Sequence, residues 1–481
     1  MSDARRQQID GLKEARLDFL VVGGGINGAG VLRDLALRAR DTGTTLRAGL
    51  VEQAHFASGT SGKNSQLIHG GLRYLKYLQF PLVREALHER SILLRIAPQF
   101  VHPLKFLLPM YGAKSRLLYG SGLWLYDLFA GSEKIQQHRI ISSSDLALLE
   151  PRMNRKGLNA AAIFWDGAVH SARFVVENVL DAIANGAFAA NYVKAEAWEQ
   201  AAAGGWRVQC RDTLSGEGFE ILARKLVDAR GAWIDGASLR LVRGSHIVIQ
   251  RVTAGDHAIA HFEPDGRIVF LLPWGSSHPV TLVGTTDEDH RGSPEDVRIS
   301  QGEVEYLMAV VHKLFPDRRD VSPISAFSSL RPLVSSGGGS ATSASRGHKI
   351  WNSDDGVLHI AGGKYTTYRL MSEEATDQVC REVAPALAEV HRTADTPFAP
   401  VGRGIGDAME QRLADYLFVS TYLGYEQRWD AASLRPLADA LAARLGWDEG
   451  RVRQEVDEIL AYTEHAKSRL VWHGAVDRTR A

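Results

Sequence analysis

Asp18–Val22 (Asp-Phe-Leu-Val-Val) is a short apolar run, the pattern of a strand buried on both faces of a parallel sheet. Glycines follow at 23, 24, 25, 28 and 30, then a helical stretch from Ala29 to about Arg40. Thr45–Glu52 reads as a second strand that ends in an acid, which completes a βαβ opening. Leu82, Ala86, Leu87, Leu93, Leu94 and Ala97 approximate one face of a helix over Phe80–Ala97. Phe100–Ala130 mixes Leu, Phe, Tyr and Trp with Pro103, Lys105, Pro109, Lys114 and Arg116. It is open to two readings: a core helix plus loop, or an amphipathic segment in a bilayer interface.

Ser171 suits the N-cap of a helix running from about Ala172 to Asn185. Strands are expected at Ala189–Val193, Trp206–Arg211 and Glu220–Asp228. Gly244–Gln250, Arg267–Pro273 and Val280–Thr286 suggest an antiparallel sheet, and Ser335–Ser345 is a flexible loop by composition. Gly356–Ala361 returns as a strand, followed by Gly362-Gly363-Lys364 and a helix from about Thr367. From Asp407 onward the pattern is helical and reads as a separate small domain.

A chain of 481 residues is too long for one ordinary core, so two or three domains are expected. Hydrophobic content of 45% and charged content of 23% rule out wholesale disorder. Basic and acidic residues number 56 each, which disfavours a general nucleic-acid binder. Cys210 and Cys380, the two cysteines, exclude a disulfide framework and a Cys-rich metal site, and no metal is expected. The polar start, Met1 to Glu14, is unlike a secretory signal, and no apolar run is long enough to span a membrane. A cytoplasmic location is expected, with the inner face of the cytoplasmic membrane as a surface the chain could lie on.

Three constellations carry candidate chemistry. Gly23-x-Gly25-x-x-Gly28 lies between a strand and a helix, with Glu52 closing the next strand. Gly23 would make the tight turn, Gly25 admit a pyrophosphate, and Gly28 let helix and strand pack, while Glu52 accepts ribose hydroxyls. This points to a dinucleotide without separating FAD from NAD. The second, Thr60 to Tyr74, holds small hydroxyl residues, His69, the Gly70-Gly71 pair and Arg73. The third comprises Arg331, Arg346 and the loop Gly362-Gly363-Lys364-Tyr365-Thr366-Thr367-Tyr368-Arg369, a set that suits an anionic ligand.

With these residues the chain resembles the FAD-dependent glycerol-3-phosphate dehydrogenases, within the D-amino-acid-oxidase-like flavoproteins. The resemblance runs from about Asp18 to about Arg369. It is carried by DFLVVGGGINGAG (18–30), LIHGGLRYL (67–75), VREALHERSILLRIAP (83–98), RGSHIVI (243–249), RIVFLLPW (267–274), VGTTDEDHRG (283–292), LRPLV (330–334) and GGKYTTYR (362–369).

The resemblance implies an α/β fold with a Rossmann-like, glutathione-reductase-type FAD-binding domain, an antiparallel-sheet substrate domain and a small C-terminal helical domain. Residues 1–16 would be a polar tail. Residues 17–400 would be the oxidoreductase region, with the FAD domain (about 17–80, 150–235 and 345–385) interleaved with the substrate domain (about 81–149 and 236–344). Residues 401–481 would form a divergent helical domain.

FAD would be held by Gly23, Gly25, Ile26, Asn27, Gly28, Glu52, Ser61, Ser65 and Leu67, with Val193 towards adenine and Gly231 near the pyrophosphate. Gly363, Lys364, Tyr365, Thr366 and Thr367 would close over the isoalloxazine. The implied reaction takes sn-glycerol 3-phosphate to dihydroxyacetone phosphate by hydride transfer from C2 to flavin N5. His69 is the first choice of base, since imidazole titrates near working pH, with Lys364 and Arg331 as alternatives. Arg331 and Arg346 would hold the phosphate, Arg73 and Tyr74 would line the wall, and His246 is a further substrate-side residue. Electrons would pass to a quinone or to oxygen, and a homodimer is compatible with the pattern.

The sequence departs from the family in three places. It reads Asp228-Ala-Arg230-Gly-Ala-Trp233 where Asn-Ala-Thr-Gly-Pro-Trp is usual, and His170-Ser-Ala-Arg173 where Asp-Asp-Ala-Arg is common. The region after Asp407 is shorter than usual. Rival readings are a flavoenzyme for another hydroxy acid or amine, a NAD-dependent dehydrogenase, and a degenerate flavoprotein scaffold that binds a partner.

Overall fold

A computed structural model describes residues 3–14, 16–234, 239–264, 266–334, 347–399 and 405–470, leaving aside the side chains of 73, 76, 77, 113, 114 and 465–469. Two sheets organise the described residues, one of eight strands and one of ten.

The eight-stranded sheet is built on the opening βαβ unit. Leu17–Val22 lies between Ala48–Val51 and Gly218–Asp228, parallel to both, with Val22 beside Val51 and Asp228. Phe188–Ala190 extends one side, and Leu358–Gly362 followed by His348–Asn352 extends the other. An antiparallel arm, Val193–Gln200 and Trp206–Asp212, pairs onto Gly218–Asp228. In it Trp206, Val208 and Cys210 alternate inward against Arg207, Gln209 and Arg211 outward, the period of a half-buried strand. The glycine turn leads into the helix Ile26–Thr42. A Cβ at Gly28 would fall 2.0 Å from the Gly23 carbonyl oxygen, so only glycine lets helix and turn approach this closely.

The Ile26–Thr42 helix is covered by Ser171–Ala184 and Tyr368–Val383. Its covered charges are therefore buried and paired: Arg38 with Asp34 at 2.8 Å and with Asp377 at 2.5 Å, and Arg33 with Asp181 at 2.6 Å.

The ten-stranded sheet is mainly antiparallel and supplies the second wall of the site. Its order runs Glu288–Asp289, Leu239–Gln250, Val280–Gly284, Ile268–Trp274, Ala258–Phe262, Val101–Tyr111, Leu158–Val169, Leu67–Ile68. Pro323–Val334 pairs along Leu239–Gln250, which sets His246 opposite Phe327 and Val242 opposite Arg331.

Residues 1–16, read as a polar tail, contain the helix Asp3–Glu14. Its Ile9 and Leu12 are buried, and its buried Arg5 pairs with Asp212 at 2.8 Å. Leu158–Val169 and Leu67–Ile68 belong to the ten-stranded sheet rather than to the FAD half, so the chain crosses between sheets at residues 67–68 and 170. Phe100–Ala130 is neither wholly core helix nor wholly interfacial. Its first part is the strand Val101–Tyr111, and only Ala113–Ala130 is helical.

The cap of the next helix is His170, whose Nδ1 accepts from the Arg173 N–H at 3.2 Å, and Ser171 is its first helical residue. The loop 335–345 lies outside the described residues. The C-terminal helices have their own core around Leu413, Leu434 and Ile459, yet Tyr422 and Tyr425 are buried in the main one. No helix among the described residues is long and apolar enough to cross a membrane.

Candidate active site

A cavity of about 720 Å³ lies between the two sheets. That is within the range of roughly 300–1,000 Å³ usual for ligand and cofactor sites. One end is walled by Gly23, Gly25, Ile26, Asn27, Glu52 and Val193, with Gly231 close by. The other end is walled by His69, Tyr74, His246, Arg331 and Lys364. Ser61, Ser65, Leu67 and the turn Gly363, Tyr365 and Thr366 join the two. Gly28 and Thr367 stand behind the wall: Gly28 packs on Gly23, and the Thr367 hydroxyl donates to the Lys364 carbonyl at 3.4 Å. The Arg73 side chain and all of Arg346 lie outside the described structure.

At the glycine end, a Cβ on Gly25 would meet only the Ser61 hydroxyl oxygen, at 3.2 Å, so the bare backbone there faces the cavity. Ser61 Oγ accepts from the Ile26 N–H at 2.9 Å and ties the 60–65 loop to the helix N-terminus. The Glu52 carboxylate accepts from the Gly24 N–H at 2.7 Å and the Ala54 N–H at 3.0 Å. Burial raises its pKa above the ordinary carboxylate value, opposed by those N–H donors. Glu52 thus shapes the turn as well as facing the cavity, and its oxygens keep lone pairs for a sugar hydroxyl.

The other end is polar and held from behind. His69 is fixed by its backbone: its N–H donates to Thr366 Oγ1 at 3.1 Å, and that hydroxyl donates to the His69 carbonyl at 3.3 Å. The next residue, Gly70, donates from its N–H to Tyr126 Oη at 2.8 Å and to Asp166 Oδ1 at 3.3 Å. Asp166 also accepts from Tyr126 at 2.7 Å and from the buried Arg90 at 2.7 Å.

His246 is buried, with Nε2 at 2.9 Å from Ser65 Oγ and its ring stacked on Phe327 at 5.0 Å. Its Nδ1 has no hydrogen-bond partner among the described residues. Burial first, and the charge of Arg331 second, push its pKa down to about 3, so this imidazole is neutral. Arg331 is oriented by Asp287 Oδ1 at 2.8 Å, the Thr286 carbonyl at 3.2 Å and Thr285 Oγ1 at 2.9 Å. Lys364 donates to the Leu82 carbonyl at 3.1 Å and lies 4.2 Å from the centre of the Tyr74 ring. Phe106, Phe164 and Phe270 supply an apolar wall beside this set.

Most of the residues expected from the sequence therefore meet on one cavity. The Arg90–Tyr126–Asp166 bracket, the cation Lys63 on the wall and the segment Pro294–Arg298 on the rim were not evident from the sequence. Arg90 lies in one of the resemblance stretches, but nothing in its local pattern announces a partner 76 residues away.

The donor set suits FAD. A helix N-terminus and an open glycine stand at one end, and a polar turn with an apolar wall at the other.

Comparison with known proteins points the same way. The family model for FAD-dependent oxidoreductases (DAO) matches residues 18–369. A glycerol-3-phosphate dehydrogenase of Synechocystis sp. is 35% identical over 401 residues, covering 76% of this chain and 70% of the relative. An aerobic glycerol-3-phosphate dehydrogenase of Bacillus subtilis is 32% identical over 394 residues, covering 78% and 69%. In fold, the chain matches the glycerol-3-phosphate dehydrogenase from Bacillus halodurans complexed with FAD, with a TM-score of 0.76 at 23% identity, covering 97% of this chain and 98% of that one. The FAD-bound L-alpha-glycerophosphate oxidase from Mycoplasma pneumoniae matches with a TM-score of 0.58 at 15% identity, covering 80% and 100%.

Proposed function

The chain belongs to the DAO family of FAD-dependent oxidoreductases, and from that premise we propose how it oxidises sn-glycerol 3-phosphate to dihydroxyacetone phosphate. The observation that carries the reading is that one cavity joins the glycine turn and Glu52 to Arg331, His246, His69 and Lys364. FAD supplies the acceptor for the hydride that leaves C2.

Arg331 binds the substrate phosphate. Asp287 and Thr285 fix the plane of its guanidinium in advance, so little orientation is lost on binding. His69 takes the hydroxyl proton, held against the Gly363–Thr367 turn by Thr366. His246, neutral and anchored through Nε2 by Ser65, backs this wall of the site. Lys364, stacked on Tyr74, steadies the developing alkoxide. The apolar wall of Phe106, Phe164 and Phe270 keeps water from the reacting carbon.

Electrons then leave for a quinone, with oxygen as the second candidate acceptor. Support for the quinone comes from the helix Ala113–Ala130, which leaves Leu117, Trp124 and Leu128 exposed next to Arg116. Such a face suits the inner surface of the cytoplasmic membrane.

Steady-state kinetics on variants with FAD bound test the assignment. Arg331→Ala should lower kcat/KM by a factor reflecting about 2–5 kcal/mol. His69→Ala should lower kcat by about 10²–10⁴-fold. Unchanged turnover in either variant removes that residue from the mechanism.

A further inference from the structure

Glu288–Asp289 ends the ten-stranded sheet, and the chain then crosses the mouth of the cavity before the helix Gln301–Leu314 begins. Pro294, Glu295, Val297 and Arg298 in this segment line the same cavity as Gly23, Gly25 and Val193. A substrate-side loop thus meets the dinucleotide end of the site. Its contact with the opposite sheet is specific: the Trp233 indole N–H, next to Gly231, donates to Glu295 Oε1 at 2.6 Å. Ser293 Oγ also donates to the Glu295 carboxylate. Arg298 folds back on its own segment, donating to the Glu295 and Val297 carbonyls at 3.1 Å each.

Cations and acids both line this mouth, Lys63, Lys194 and Arg298 with Glu52 and Glu295. Arg230 is neutralised by Asp228 at 3.0 Å. Lys63, one residue before Asn64 on the cavity wall, has no acid among the described residues to offset it. Arg298 lines the same cavity, and burial first and the charge of Arg298 second lower the Lys63 pKa. Like charges held together in a pocket are unfavourable unless an anion sits between them. The adjoining helix N-terminus at Gly25–Ile26 favours the same charge.

We propose that residues 293–298 form a clasp over the cofactor, latched by Trp233 to Glu295, in which Arg298 and Lys63 make a two-cation seat for a dinucleotide pyrophosphate. The clasp covers the dinucleotide half of FAD from the substrate side and slows its escape. The Trp233–Glu295 hydrogen bond must open before the segment lifts. The inference rests on the flavin reading of the cavity.

Release of FAD from the purified holoprotein tests it, followed as the rise of free-flavin fluorescence on dilution. Trp233→Phe keeps an aromatic ring over Gly59 but removes the donor, and Glu295→Ala removes the acceptor. Each should release FAD roughly tenfold faster, the effect of losing one charge-assisted hydrogen bond. Lys63→Met should also release FAD faster, and its rate should rise less with added salt than that of the wild type, because one screened attraction is gone. Wild-type release from both latch variants overturns the clasp, and a wild-type rate and salt response in Lys63→Met overturns the cation seat. Protein that takes up no FAD would sink the flavin reading itself, whereas yellow protein with unaltered release in every variant sinks only the clasp.

Discussion

Two histidines make the stability of the fold depend on acid. His246, in the substrate wall, is pushed down to about 3, and His170, the helix cap stacked 4.1 Å from Tyr422, to about 4. Burial is the main cause for both. The folded chain holds them neutral, while the unfolded chain protonates them below pH about 6.5. The unfolded state therefore binds more protons in this window, and stability falls as pH drops from there through each folded value. By pH 5 each group accounts for a loss of about 2 kcal/mol. His170→Asn keeps an N-cap acceptor and should remove about that much of the acid destabilisation, read by denaturant unfolding at pH 7 and pH 5. An unchanged difference between the two pH values would contradict the assignment. At the same scale, Asp166 on the cavity wall fixes the segment after His69, since it accepts from Gly70, Tyr126 and Arg90.

Among the elements, the helix Ala113–Ala130 stands out for having two apolar faces. Leu123, Tyr126 and Ala130 are buried, while Leu117, Trp124 and Leu128, spaced i, i+7 and i+11, lie at 80%, 59% and 56% exposure. An exposed apolar row beside a cation calls for an apolar surface to cover it. The triple variant Leu117→Ser, Trp124→Ser, Leu128→Ser should lose co-sedimentation with anionic vesicles and quinone reduction while keeping FAD bound. Wild-type protein that ignores vesicles would remove the interfacial role.

How legible each element was in the sequence follows from the range of its contacts. The glycine turn and the strand-to-helix turn at Gly362–Thr367 are local, and their patterns stand in consecutive residues. The strand Val101–Tyr111 was hidden because Pro103 and Pro109 read as breaks, yet both lie in the ladder opposite Gly167 and Ala161. The helix Asp3–Glu14 was hidden because its docking depends on Arg5 meeting Asp212, 207 residues away. The strap at Pro294–Arg298 has no periodicity, and its role appears only once Trp233 is placed beside it.

In the whole molecule, the C-terminal helices brace the cofactor loop. Tyr422 donates to the Gly62 carbonyl at 2.8 Å and accepts from the Ala172 N–H at 3.0 Å. Glu426 accepts from the Ser276, Ser277 and His278 N–H groups at 2.7, 2.9 and 3.1 Å, fixing a hairpin of the substrate sheet. Tyr422→Phe should destabilise by about 1–3 kcal/mol in denaturant unfolding, since it leaves a buried N–H without its acceptor. Wild-type stability would show that the brace carries no load. This brace, the two sheets and the cavity between them serve one reaction. The direct measurement is the visible spectrum of the FAD-bound protein before and after anaerobic addition of sn-glycerol 3-phosphate, with dihydroxyacetone phosphate assayed in the same sample. The oxidised-flavin absorption should bleach, and product should appear in equal amount to the cofactor. A spectrum unchanged by the phosphate ester, or bleached equally well by glycerol without its phosphate, would contradict it.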